Sequence, residues 1–95
     1  MNGTTKGKPM PTISMFFGII IAMYYQDHVP PHIHARYGDA VATFDIETGE
    51  LSEGELPKAQ RRMVEAWMEI HRDELRANWK LAQSREQLFR IEPLR

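Results

Sequence analysis

The sequence predicts an α+β domain: a small, mainly antiparallel sheet of four to five strands packed on one long, kinked C-terminal helix or on two helices. Three observations carry that expectation. The chain has 95 residues, enough for one domain with a single two-layer core. Its first half alternates apolar and polar residues around short turn signals, as strands of period two do. From Lys58 to about Ser84, Val64, Trp67, His71, Leu75, Trp79 and Ala82 recur every three or four positions, which is the stripe of an amphipathic helix.

In order along the chain, "MNGTTKGKP" (1–9) is polar, Gly-rich and without periodicity, so it is expected to be a disordered N-terminal extension. Residues 10–95 are then the domain. "TISMFF" predicts a first strand, and after Gly18 the apolar, β-branched run "IIIAMYY" predicts a strand central in its sheet. "HIHARY" (32–37) alternates strictly, "GD" (38–39) is a two-residue hairpin signal, and "AVATFDI" is the return strand. "ETGEL" places another turn at Thr48–Gly49 and a short strand near Glu50–Leu51. "SEGELP" is a connector whose Pro57 suits a first helical turn. A single kinked helix is favoured from Lys58 onward, with Asp73 available to cap a second one if the chain divides near "HRDE". The closing "FRIEPLR" admits a further short strand.

The "GD" turn sets a register that can be written down in full. If Gly38 and Asp39 form the turn, Tyr37 pairs with Ala40, Arg36 with Val41, Ala35 with Ala42, His34 with Thr43, Ile33 with Phe44, and His32 with Asp45. Paired residues share a face. One face is then apolar, and the other holds His32, His34, Arg36, Thr43 and Asp45.

Composition narrows the function classes. The chain has no cysteine, which excludes thiol chemistry, disulfides and Cys-type zinc sites and suits a reducing cytoplasm. "ISMFFGIIIAM" is about half of the roughly 20 residues a membrane-spanning helix needs, so no membrane role is expected. The net charge of −1 divides unevenly: residues 1–56 hold three Lys/Arg and seven Asp/Glu (−4), and residues 57–95 hold nine and six (+3). A basic helical face of this kind permits contact with RNA or an acidic protein, although i,i+4 ion pairing accounts for most of it. Nucleotide-binding, nucleophile-elbow and zincin motifs do not occur.

The densest chemistry lies in "YYQDHVPPHIHARYGDA" (24–40). Histidines two apart on a strand project side by side, about 6.5–7 Å between Cα atoms. His32 and His34 thus suit a shared metal ion, with His28 and Asp27 returned toward them by the stiff Pro30–Pro31 approach. Such a set would suit zinc, manganese, iron or nickel. The same residues suit metal-free proton transfer: His32 or His34 as base or acid, Asp45 as the carboxylate that orients an imidazole, and Arg36 on a phosphate. A solvated polar row would look alike. His71 on the apolar stripe is expected to be a satisfied core histidine, and Trp67 and Trp79 to be core anchors.

"MPTI", "FFGIIIAMYYQDHVPPHIHARYGD", "GELSEGELP", "EAWMEIHRDELRANW" and "RIEPL" together resemble the bacterial domain-of-unknown-function family 4160, over about Met10 to Leu94. The block "MYY-x-DH-x-PPH-x-HA" is the most specific part. Ile33 departs from the pattern, where an aromatic residue is common. The resemblance implies a small cytoplasmic bacterial protein, often encoded beside a member of the family numbered 2442 in an arrangement proposed as a type II toxin–antitoxin pair. By that analogy this chain is the toxin-like member, its partner is a small antitoxin-like protein, and RNA is a candidate target. The family assigns no catalytic residues. Self-association is left open.

Overall fold

The computed structural model of the protein describes residues 11–95, so the disordered extension expected over residues 1–9 lies outside the described residues. Five strands form one antiparallel meander in sequence order: β1 (Thr12–Phe16), β2 (Ile19–Ala22), β3 (His32–Tyr37), β4 (Ala40–Asp45) and β5 (Leu51–Gly54). Two helices come after them, α1 (Lys58–Ile70) and α2 (Arg72–Gln83). The α+β architecture expected from the pattern is the one observed.

All six cross-strand pairs expected for β3 and β4 are present, from His32 opposite Asp45 to Tyr37 opposite Ala40. The inner face carries Ile19, Ile21, Ile33, Ala35, Ala42 and Phe44, all buried, and the helices cover it with Val64, Trp67, Met68, Leu75 and Ala82. The ring of Trp67 packs 5.4 Å from that of Phe16. The outer face is the one that bears His34, Thr43 and Arg36.

The β4–β5 ladder is irregular between Thr43 and Phe44. An extra residue in one strand suspends the alternation of faces, and its neighbourhood gives the outer side both Ser52 and Glu53. Gly54 closes this strand with φ +75°, and a Cβ there would lie 2.1 Å from the Val41 carbonyl oxygen. Gly54→Ala therefore meets backbone as well as an unfavourable dihedral. A loss of about 2 kcal/mol or more is expected in urea unfolding, whereas Gly38→Ala, with open space around its Cβ position, meets only the dihedral cost. Equal midpoints for the two variants would contradict a backbone clash at Gly54.

The structure departs from the expected elements in three places. Instead of the single helix favoured by the periodicity, there are two, broken at His71, whose φ of −111° leaves the helical region. Asp73 and Glu74 occupy the first turn of α2, where carboxylates suit the helix dipole. The His71 imidazole is hydrogen-bonded to the Glu74 carboxylate, and Arg72 donates from Nε to the Ile46 carbonyl at 3.0 Å, tying the break to the sheet. Pro57 stands one residue before α1, as its N-cap. Finally, the tail is not a strand. It is held beside β1 by Ile91 N–H on the Ile13 carbonyl at 2.8 Å and by Ser14 Oγ on the Ile91 carbonyl at 2.9 Å. Trp67 Nε1 donates to the Glu92 carbonyl at 2.8 Å, and the buried Asn78 side chain takes both the carbonyl and the N–H of Phe89.

Candidate functional site

β3 lies between β2 and β4: His34 is paired on both sides, with Ala22 and Thr43, and His32 is paired with Asp45 of β4. Their rings lie 5.0 Å apart. After β2 the chain leaves the sheet, sets the Tyr24 ring edge-on to His34 at 4.6 Å, and turns at Gln26 with φ +52°. That turn brings Asp27 back over β3.

Asp27 is the residue that joins the two histidines. Its Oδ2 lies 2.9 Å from His32 Nε2 and 3.1 Å from His34 Nε2, while its Oδ1 accepts the His28 backbone N–H at 2.9 Å. One ligating atom from each of Asp27, His32 and His34 falls within 4.8 Å of the others. His32 is 4% exposed, with the Trp79 ring of α2 packed 5.4 Å from its own. Burial by itself pushes the Asp27 carboxyl up. The hydrogen bonds from His34 and from the His28 N–H, with the charge and hydrogen bond of His32, outweigh it and hold the group below the ordinary Asp value.

The hydrogen bonding of His32 carries the most chemical information. Its Nδ1 lies 2.7 Å from the Pro30 carbonyl oxygen, which can only accept, so Nδ1 bears the proton and donates. In the neutral ring Nε2 then presents a lone pair to the Asp27 carboxylate 2.9 Å away. Two acceptors at that distance need something positive between them, either a second proton on the ring or a metal cation. A backbone carbonyl on Nδ1 is also how metal-ligating imidazoles are usually oriented.

The cluster opens into a cleft of about 280 Å³, with His28 and Pro30 on one side and Thr43, Asp45, Ser52 and Glu53 on the other. Among the described residues its lining includes the carboxylates of Asp45 and Glu53 and no lysine or arginine.

The residues selected on sequence grounds fall in distinct places. Asp27, His32 and His34 converge. Asp45 lines the cleft opposite His32 but hydrogen-bonds the Thr48 N–H at 2.9 Å through Oδ1; the groups on the His32 nitrogens are Pro30 and Asp27, so the carboxylate that orients this imidazole is Asp27 and not Asp45. His28 stands at the rim with its side chain 82% exposed and its ring 5.0 Å from that of His32. Arg36 points from the same sheet face but is exposed and outside the cleft lining. His71 is satisfied by Glu74, and Trp67 and Trp79 are buried in the core as expected.

A family model described as a domain of unknown function (DUF4160) matches residues 18–80. The chain belongs to this family. No curated protein and no solved structure matches it at a significant level. The DUF4160 match runs from the β1–β2 turn into α2, so it contains Asp27, His28, His32, His34, Arg36 and Asp45. Among the described residues of this DUF4160 chain, no helix is long and apolar enough to cross a membrane.

Two contributors to the site were not singled out from the sequence. The Pro30 carbonyl is a backbone atom, and no residue type announces it. Gln83, which donates from Nε2 to the Asp27 carbonyl at 3.1 Å, is 56 positions away from it and lies beyond the DUF4160 match; only the docking of α2 brings the two together.

Proposed function

We propose that Asp27, His32 and His34 hold a divalent transition-metal ion, zinc or manganese, and that the ion makes this chain a metal-dependent hydrolase acting on RNA. The observation that carries the reading is the confrontation of His32 Nε2 and Asp27 Oδ2 at 2.9 Å, with Nδ1 already donating to Pro30. Two imidazoles and a carboxylate are a common set for iron, zinc or manganese, and they leave coordination positions open. Here the open side is the cleft. A bound ion would supply a Lewis acid and an acidified water. Asp45 would take the proton of the water whose oxygen bonds to phosphorus, and the P–O bond to the leaving ribose would break as that oxygen is protonated from solvent.

Charge favours the metal-assisted version over metal-free acid–base catalysis. Asp27, Asp45 and Glu53 make the site acidic, and Arg36 lies outside it, so among the described residues a phosphodiester meets no lysine or arginine there, and a bound ion would supply the charge it needs. The family resemblance supports placing the activity in the toxin-like member of a two-gene pair, with a small antitoxin-like protein as its partner. A second reading, a non-enzymatic protein-binding module in which the metal is structural, is favoured by the same acidic wall.

Chelator-free protein with added Zn²⁺ or Mn²⁺ would be incubated with total RNA, beside His32→Ala and His34→Ala. Cleavage by the wild type alone, lost on adding a chelator, is expected. Stoichiometric metal without cleavage moves the assignment to the binding module, and the absence of any metal binding removes both.

A further inference from the structure

The three converging groups do not belong to the same part of the fold. His32 and His34 are fixed by the sheet, whereas Asp27 sits on the loop between β2 and β3. That loop rests on the end of α2. The Gln26 N–H donates to the Ala82 carbonyl at 3.2 Å, and Gln83 Nε2 donates to the Asp27 carbonyl at 3.1 Å. The Gln26 backbone is left-handed, with φ +52°, a conformation that side-chain-bearing residues adopt only where their surroundings hold them. The loop's path is therefore imposed by what it docks against, and the carboxylate is carried along that path.

We infer that Gln83 is a positioning residue of the cation site: its side-chain amide, by holding the Asp27 carbonyl, sets the Asp27 carboxylate against His32 and His34. The inference rests on the metal reading proposed for that site. The amide acts at the backbone of a ligand, one bond network out from the ion, where loss of a partner lowers metal affinity 10- to 100-fold in order of magnitude. Gln83 is itself exposed, so water competes for its partner and the effect belongs at the low end of that span. Exposure also means that its replacement leaves the core intact. The neighbouring contact, Gln26 on Ala82, is backbone to backbone and survives any substitution at 83.

The experiment is Co²⁺ titration of the full chain, monitored by visible absorption, which reports coordination geometry as well as affinity. The wild type is compared with Gln83→Met, which removes the donor without adding charge, and with Gln83→Glu. A new carboxylate near a cation tightens binding by charge alone, whereas the positioning role demands that losing the donor weaken it. Gln83→Met is expected to bind Co²⁺ about 10-fold more weakly than the wild type, the lower bound for an outer-shell partner, and Gln83→Glu also more weakly but by less, because its charge offsets part of the loss. Their Co²⁺ bands are expected to be altered, and the melting temperature of the metal-free protein unchanged. Wild-type affinity in Gln83→Met, or a loss that tracks a lower melting temperature without metal, would overturn the role of Gln83 alone. Failure of the wild type to bind Co²⁺ would overturn the metal reading and this inference with it.

Discussion

Asp27→Ala is expected to abolish cation binding while the chain stays folded. Asp27 supplies the only formal negative charge among the three converging groups, and its Oδ2 is the atom both imidazoles face. Without it two neutral nitrogens remain, and the affinity for Zn²⁺ or Co²⁺ should fall by more than about 100-fold, beyond the range seen for outer-shell partners. Competition against a chelator of known affinity measures this directly. Arg36→Ala, in the same assay, should bind as the wild type does, because Arg36 lies outside the cleft lining.

The same substitution has a signature without metal. The folded-state value of the Asp27 carboxyl is lowered, so its contribution to stability is complete above the unfolded-state value and disappears as the pH falls through the folded-state one. Metal-free wild type should therefore lose stability in acid more steeply than metal-free Asp27→Ala. Cation binding by Asp27→Ala within threefold of the wild type would exclude Asp27 as a ligand, whatever the acid limb does.

Trp67→Ala is expected to have the largest effect on the fold itself. The side chain is fully buried, packs on Phe16, and donates its indole N–H to the Glu92 carbonyl. Truncation leaves a large cavity and an unsatisfied carbonyl, and such changes cost about 3–5 kcal/mol. A chain of this length has roughly 5–14 kcal/mol in all. The variant should unfold at a much lower urea concentration, and because Glu92 belongs to the tail, the tail should lose its protection from hydrogen exchange first. A loss below about 1 kcal/mol would mean that the helix layer does not rest on Trp67.

These expectations differ in how much of their basis is legible in the sequence. The β3–β4 hairpin is legible in full: strict alternation names the faces, Gly38–Asp39 names the turn, and together they leave one register, the one observed. The convergence of Asp27 with His32 and His34 is not legible in that way. It depends on a left-handed turn at Gln26 and on docking against α2, both of which are tertiary effects with no local signature. The helix break at His71 lies between these cases. Asp73 and Glu74 mark a start, but the apolar stripe continues unbroken from Trp67 through Leu75 to Trp79, and periodicity alone favours one helix. In the structure the break is tied to the sheet by Arg72 reaching the Ile46 carbonyl, a contact 26 positions away. The tail resembles a strand in sequence because it is apolar in alternate places; in the structure its hydrogen bonds go mainly to side chains, those of Ser14, Trp67 and Asn78.

That side-chain clasp bears on how the fold comes apart. Each strand pairs with its neighbour in sequence, so the meander is built from local contacts that close cheaply and reform quickly. The clasp is the opposite kind of contact: Ser14 and Ile91 are 77 positions apart. Its release breaks no pairing between strands, which makes it a candidate for the first opening of the native state. Beside the β1 edge Met15 and Phe17 are exposed. Among the described residues the tail thus shields the edge of β1, and exchange of the Ile91 amide hydrogen ahead of those of β3 would report its release.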